Sequence, residues 1–325
     1  MKICIHSNQF DGRGTGKTPY DYGLALRDIL GHEVCYMTSA QSKNEGLHRI
    51  KKEFQVLLYS GRVDHSPPVE VKKEIEAFVD FNKIDFIQML KWGTNDGVTP
   101  ENCKTGVHYV FEGKDPHGSV YAAVSENLAK KYNRAEYVPH IIRKVGPTKD
   151  VRAQLNIPKD ALVVGRHGGM DTFDLPFVHE AVAEVVNTRK DIYFLFLATK
   201  PFIQHERVMH FDWVAQEQGI YNFIHACDIM LHARHMGETF GLSVGEFAAC
   251  NKPVMTWHGL GYSFYDTAHI DQLKSKAILY RDKQEVVNYL SNIKPADFSG
   301  TNWDTFTEIF SDKNVIKQYE NIFLK

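Results

Sequence analysis

The sequence predicts an α/β protein built as two doubly wound lobes, and three observations carry that prediction. Short apolar runs of strand length alternate with segments of helical periodicity, the pattern of a parallel sheet covered by helices. The alternation breaks once, across 138–160, where Pro139, Pro147, Pro158 and Gly146 interrupt it, and then restarts. A chain of 325 residues has the length of two ordinary domains.

Each element follows from its residues. The first strand is 2–6, Lys-Ile-Cys-Ile-His, followed by a polar, glycine-rich loop over 7–18. Apolar residues at Tyr22, Leu24, Ala25, Leu26, Ile29 and Leu30 predict a helix over 20–30, with Gly31 as its stop. Strands follow at 33–37 and 54–59, a helix at 69–81, and strands at 85–89, 104–111 and 120–124. Beyond the interruption, 161–165 and 192–198 read as strands around a helix at 177–186. The stretch 224–232 holds a helix turn and a strand, 242–250 a helix, 253–257 a strand and 284–293 a helix. The tail 301–323 shows helical periodicity in two segments.

Composition excludes several classes. Hydrophobic residues at 43% and charged residues at 24% describe a soluble globule, not a disordered tail, a fibre or a disulfide scaffold. A formal charge of −2 gives no strong global field toward nucleic acid or anionic membranes. The five cysteines are scattered with no CxxC pair, which reads as free thiols in a reducing compartment. No apolar run approaches the roughly 18–20 residues of a membrane helix, and the N-terminus is too polar beyond Ile5 for a signal segment. A soluble, cytoplasmic protein is the expectation. The 16 histidines do not cluster with carboxylates or thiols at ligand spacing, and His179-Glu180 lacks a second histidine four residues on, so no metal site is expected.

The loop Gly12-Arg13-Gly14-Thr15-Gly16-Lys17-Thr18 invites comparison with a phosphate-binding P-loop, but the required first glycine would fall at Asp11. The alternating Gly12, Gly14 and Gly16 also miss the G-x-G-x-x-G spacing. As a strand-to-helix turn, with a helix starting near Thr18-Pro19 and proline in its first turn, it still offers close-approaching amides and a helix N-terminus to an anion. Gly14, Thr15, Gly16 and Lys17 are therefore candidate ligands of a diphosphate or a polar acceptor; a surface turn is the alternative.

The richest string runs from His232 to Val254. Glu238 precedes a helix, and Glu246 lies eight residues later within it. Gly241 lets the chain turn into that helix, so amides from Phe240 to Ser243 point outward beside two acceptor-only side chains. A sugar diphosphate needs amides for phosphate and carboxylates for hydroxyls. A plain helix with two solvated glutamates is the alternative.

This string resembles the E-x7-E motif of retaining glycosyltransferases of the GT-B fold, the family-4-like group. Glu238-Thr239-Phe240-Gly241-Leu242, Glu246-Phe247-Ala248 and Asn251-Lys252-Pro253-Val254 carry the resemblance. It implies two Rossmann-like lobes facing a central cleft: an acceptor-side lobe of 1–145, joined by a C-terminal helix at 312–325, and a donor-binding lobe of 146–311. It implies that Glu238 meets donor-sugar hydroxyls, that Glu246 holds ribose, and that Thr239, Phe240, Gly241 and Leu242 line the sugar and phosphates. Val164-Gly165-Arg166 resembles the strand end whose arginine binds the diphosphate, with His167 beside it. The family's lysine five residues after that arginine is replaced by Asp171, so Lys17, Lys200 or glycine amides must supply its role. Thr105-Gly106-Val107-His108 resembles the strand whose histidine reaches the sugar, making His108 a candidate catalytic residue beside Glu238; a core histidine is the other reading. Tyr121 to Glu126 and Val138-Pro139-His140 resemble the family's V-S-E strand end and its entry to the linker, and His117 is a weaker loop candidate.

The resemblance implies transfer of a hexose, with retention, from a UDP-glucose-like nucleoside-diphosphate sugar to an unidentified acceptor, a glycan or another hydroxyl compound. The donor is a co-substrate; no cofactor and no divalent metal is implied. A nucleic-acid acceptor is not favoured by the charge. Three alternatives stand beside this: an epimerase-like enzyme of the same fold, a nucleotide-sugar binding protein without turnover, and a P-loop phosphotransferase.

Overall fold

The computed structural model describes residues 1–11, 14–212, 214, 216–259 and 261–325, without the side chain of Thr15. Gly12 and Arg13 of the glycine loop lie outside the described residues. The chain divides into two compact units, 1–141 with 310–325, and 142–309.

In the first unit six strands are linked by helices: β1 (Lys2–Ser7), α1 (Gly14–Asp28), β2 (Glu33–Ser39), α2 (Leu47–Ile50), β3 (Gln55–Tyr59), α3 (Pro68–Asn82), β4 (Phe86–Lys91), β5 (Lys104–Tyr109), β6 (Val120–Ala123) and α4 (Glu126–Lys131). They form one parallel sheet in the order β3-β2-β1-β4-β5-β6. Strands this apolar need cover on both faces. Ile3 and Ile5 face α1 and the C-terminal segment, while Cys4, Met37, Ile87 and Met89 face α3 through Val71, Ile75 and Val79.

The second unit repeats the plan. It contains α5 (Val151–Gln154), β7 (Leu162–His167), α6 (Pro176–Thr188), β8 (Ile192–Leu197), β9 (Val208–Phe211), α7 (Glu217–Ala226), β10 (Ile229–His232), β11 (Gly237–Glu238), α8 (Leu242–Ala249), β12 (Val254–Trp257), β13 (Asp266–Thr267), α9 (Ala268–Leu273), β14 (Ala277–Tyr280) and α10 (Lys283–Asn292). Its parallel sheet runs β14-β12-β10-β7-β8-β9, and β11 pairs with β13 apart from it. Read from β9, this is the same order as the first sheet: the unit's first strand, β7, lies between β8 and β10, as β1 lies between β2 and β4. Connections thus leave in opposite directions at β1/β4 and at β7/β10, the switch points where such sheets open a crevice beyond their carboxyl ends. The chain ends on α11 (Asp312–Tyr319), whose Val315, Ile316 and Tyr319 join the first unit's core beside Tyr22 and Leu26 of α1.

Several local expectations are corrected. Helix α1 starts at Gly14, not near Thr18, so Gly14, Gly16 and Lys17 are helical and Pro19 lies inside the helix instead of in its first turn. The early start depends on Gly16: a Cβ there would come within 2.0 Å of the Asp11 carbonyl oxygen. Val-Ser-Glu at 124–126 is a helix entry, where the Ser125 hydroxyl accepts from the Leu128 amide at 3.1 Å. In the tail, only the second periodic segment is helical. Over 301–309 the Asp304 carboxylate takes the Phe306 and Thr307 amides instead, and Phe306 is buried.

Candidate functional site

The crevice at β7/β10 gathers the chemistry of the second unit. Strand β7 ends on Arg166 and His167, and β10 ends on His232. The next turn is pinned from both sides by Asp174: its amide donates to the Ala233 carbonyl at 3.0 Å and its carboxylate accepts from the His235 amide at 2.7 Å. That fixes the backbone around Arg234 and delivers the chain to Glu238. Gly241 then turns it into α8 with φ +90°, and a Cβ there would fall 2.9 Å from His269 Cβ and 3.4 Å from Glu238 Cβ. Glycine is required by both the left-handed backbone and the close approach. Glu238 consequently lies against the start of α8, where the first-turn amides have no intrahelical acceptor.

Glu238 is held ionised. Its Oε1 lies 3.2 Å from His232 Nε2, and Arg234 donates to Oε2 at 2.6 Å. Burial pushes the carboxyl up, but the Arg234 charge and the His232 hydrogen bond outweigh it and bring it down to about 2. His232 is itself oriented by Thr256, whose hydroxyl lies 2.8 Å from Nδ1 and 3.1 Å from His269 Nε2. Burial, with the His232 charge next, drives His269 well below the usual histidine range, so a neutral imidazole backs the site.

Glu246, about one turn into α8, is 2% exposed, and its Oε2 lies 3.0 Å from His167 Nε2, whose ring stacks on Phe247. Thr239, Phe240 and Gly241 are buried and Leu242 is half-buried.

Arg166 is placed differently from a simple anion ligand. It is 3% exposed, and its two terminal nitrogens reach the Ala198 carbonyl at 3.2 Å, the Thr199 hydroxyl, the Gly169 carbonyl at 3.0 Å and the Thr172 hydroxyl at 2.6 Å. It clamps the loop after β7 to the end of β8. Burial lowers it to about 10, with the Glu238 charge opposing that shift. Lys200 is exposed just after β8, and Asp171 is exposed on the loop that Arg166 holds.

Of the first-unit candidates, Gly14, Gly16 and Lys17 lie in α1 and His108 lies in β5. Lys17 donates to the buried carboxylate of Asp21 at 2.7 Å, an i,i+4 pair along α1. His108 is fully buried, the placement that its alternative reading as a core histidine expects. Tyr319 donates to Gln88 Oε1 at 2.9 Å, Gln88 Nε2 lies 3.1 Å from His108 Nδ1, and His108 Nε2 lies 2.8 Å from the Val138 carbonyl. This relay spends both ring nitrogens in joining α11, β4, β5 and the segment after β6, and burial lowers the ring to about 4. His117 bonds within its own loop, to the Asp115 carbonyl at 2.7 Å.

No family model and no curated protein matches the chain. Solved structures do. HepE of Anabaena, solved with UDP-glucose, superposes with a TM-score of 0.74 at 14% identity over 99% of this chain and 98% of that one. A glycosyltransferase of Rickettsia africae gives 0.68 at 13% identity, over 99% and 95%. WaaG, a glycosyltransferase involved in lipopolysaccharide biosynthesis, gives 0.67 at 12% identity, over 98% and 99%. The fold is GT-B.

Within this GT-B chain, sequence reasoning missed Arg234. The usable signal was its position four residues before Glu238, in a chain with no lysine at position 171. Among the described residues no three His, Cys, Asp or Glu side chains form a metal-ligand set, and no helix is long and apolar enough to cross a membrane.

Proposed function

We propose that the chain is a retaining glycosyltransferase that moves a sugar from a nucleoside-diphosphate sugar to a hydroxyl acceptor. The observation that carries the reading is Glu238, kept ionised and seated against the N-terminus of α8 at the switch point of a GT-B unit. An ionised carboxylate accepts hydrogen bonds from sugar hydroxyls, and adjacent helix-start amides donate to phosphate oxygens. As the glycosidic bond to the diphosphate breaks, negative charge grows on the leaving group, and fixed amides and guanidinium groups stabilise it without rearrangement. Thr239, Phe240, Gly241 and Leu242 frame the sugar, Glu246 takes the ribose, and Arg166 holds the loop that faces the diphosphate. The reaction needs no divalent cation in this reading. Residues 142–309 bind the donor and the other unit the acceptor. The free thiols Cys4, Cys35, Cys103, Cys227 and Cys250 favour a reducing compartment.

UDP-glucose is the first donor to try, because HepE was solved with it. A thermal-shift screen of nucleoside-diphosphate sugars is expected to raise the melting temperature with one base and sugar, since a ligand of the folded state stabilises it. Transfer by Glu238→Ala is expected to fall about a hundredfold in kcat/KM. Full activity in that variant, inversion at the anomeric carbon, or activity abolished by EDTA would each remove the corresponding part of the proposal. Release of an altered nucleotide sugar with no acceptor modified would place the chain among epimerases instead.

A further inference from the structure

Glu238 and Arg234 hold each other in a way that the donor must undo. A nucleoside diphosphate brings about three negative charges at neutral pH. In the second unit Arg166 already serves four protein acceptors and is almost fully buried. Arg234 is the contrasting cation. Its backbone is fixed through Asp174, but the bond to Glu238 Oε2 is the ion pair anchoring its guanidinium, and its side chain keeps 21% exposure. Arg234, Glu238 and Asp174 are also the charges felt by Arg166, so both guanidinium groups share one neighbourhood beside the start of α8.

The same Glu238 oxygen is wanted by two kinds of donor, the Arg234 guanidinium and the hydroxyls of a bound sugar. Resting on the donor-binding reading above, we propose that Arg234 is an exchangeable cation that couples sugar recognition to diphosphate recognition. With the site empty it pairs with Glu238. When sugar hydroxyls donate to Glu238, the guanidinium transfers to the diphosphate oxygens, whose geometry suits its planar fork. A nucleoside diphosphate without its sugar must instead compete with Glu238 for Arg234. The exchange favours the intact donor over the spent nucleotide and supplies a cation in a chain with Asp171 at the lysine position.

The test is a double-mutant cycle read by calorimetry, with UDP, GDP and ADP and their glucose conjugates as probes. In Glu238→Gln the nucleoside diphosphate is expected to bind about threefold or more tighter while the sugar conjugate weakens. In Arg234→Gln both are expected to weaken about tenfold, and adding Glu238→Gln no longer tightens the diphosphate. Simple removal of a repelling carboxylate would tighten binding equally in both backgrounds, and that result overturns the exchange. So does a Glu238→Gln variant with unchanged affinity for the diphosphate. Wild-type protein that binds none of the probes overturns the donor reading and this inference together; binding without coupling overturns the inference alone. Ligand-free melting checks folding, and Arg234→Lys, which keeps the charge but loses the fork, carries the same cycle if Arg234→Gln does not fold.

Discussion

The two sheets share one strand order, yet the ion pairs at their switch points differ in how deeply the cation is buried. At β1/β4, Lys91 donates to Asp96 and, at 2.9 Å, to the Thr99 hydroxyl, and its side chain is 2% exposed. His6 beside it is buried with Nε2 3.0 Å from the Tyr59 hydroxyl. At β7/β10, Arg234 and Glu238 form a pair whose side chains are 21% and 16% exposed. The two carboxylates are alike in exposure, Asp96 at 19% and Glu238 at 16%, so the difference lies in the cations: Lys91 is sealed under the loop after β4, while Arg234 stays within reach of solvent and of a ligand. Topology supplies the crevice twice, and burial decides which crevice can exchange charge.

The contrast predicts unequal costs of breaking the pairs. Lys91→Ala leaves the Asp96 carboxylate without its cation under the loop and is expected to cost about 3 kcal/mol in a denaturant titration. Arg234→Ala is expected to cost less, about 2 kcal/mol, because Glu238 keeps its contact to His232 Nε2 at 3.2 Å and the guanidinium itself was partly hydrated. Equal losses would mean that the second pair is as structural as the first.

Glycine positions extend the comparison. Gly241→Ala must place a Cβ at φ +90° and 2.9 Å from His269, so about 2 kcal/mol and a displaced start of α8 are expected. Gly31→Ala, after α1, meets a similar backbone penalty at φ +71° but nothing within 4 Å, so about 1 kcal/mol is expected. Melting midpoints of the two variants measure the difference, and transfer activity should suffer only in the first.

What was legible in the sequence follows the same division. Glu238, Gly241 and Glu246 sit in one contiguous string, so spacing alone placed them on one helix and its entry. The alternation of strands and helices gave both sheets, because apolar runs such as 192–197 are local. Three things were not local. The start of α1 depends on Gly16 meeting Asp11, and a glycine-rich stretch read as loop hid the Lys17–Asp21 pair within the helix. The tail segment at 301–309 has helical periodicity, but Asp304 captures its amides first. His108 is decided by Gln88, and Gln88 by Tyr319, 231 residues away in sequence.

Acid titration separates the sites by window. Glu238 sits at about 2 in the folded protein against an ordinary 4.5, so the unfolded chain takes up its proton first. Its contribution is present above pH 4.5 and lost as pH falls from 4.5 toward 2. Glu238→Gln is expected to flatten stability over that range; a slope unchanged from wild type would mean that Arg234 and His232 do not hold the carboxylate.

His108 gives the smallest effect and the sharpest separation of core from catalysis. Its folded value of about 4 against an ordinary 6.5 means that the unfolded state binds a proton first as pH falls below 6.5, so stability drops between 6.5 and 4. His108→Gln removes that part of the slope. It still presents an amide toward the Val138 carbonyl but disturbs the bond to Gln88, a loss of about 1 kcal/mol at neutral pH. A residue that only joins core elements leaves kcat/KM within about twofold of wild type when folded protein is compared. A loss of tenfold or more, with the fold intact by melting, would return His108 to the reaction and move the catalytic histidine into the first unit.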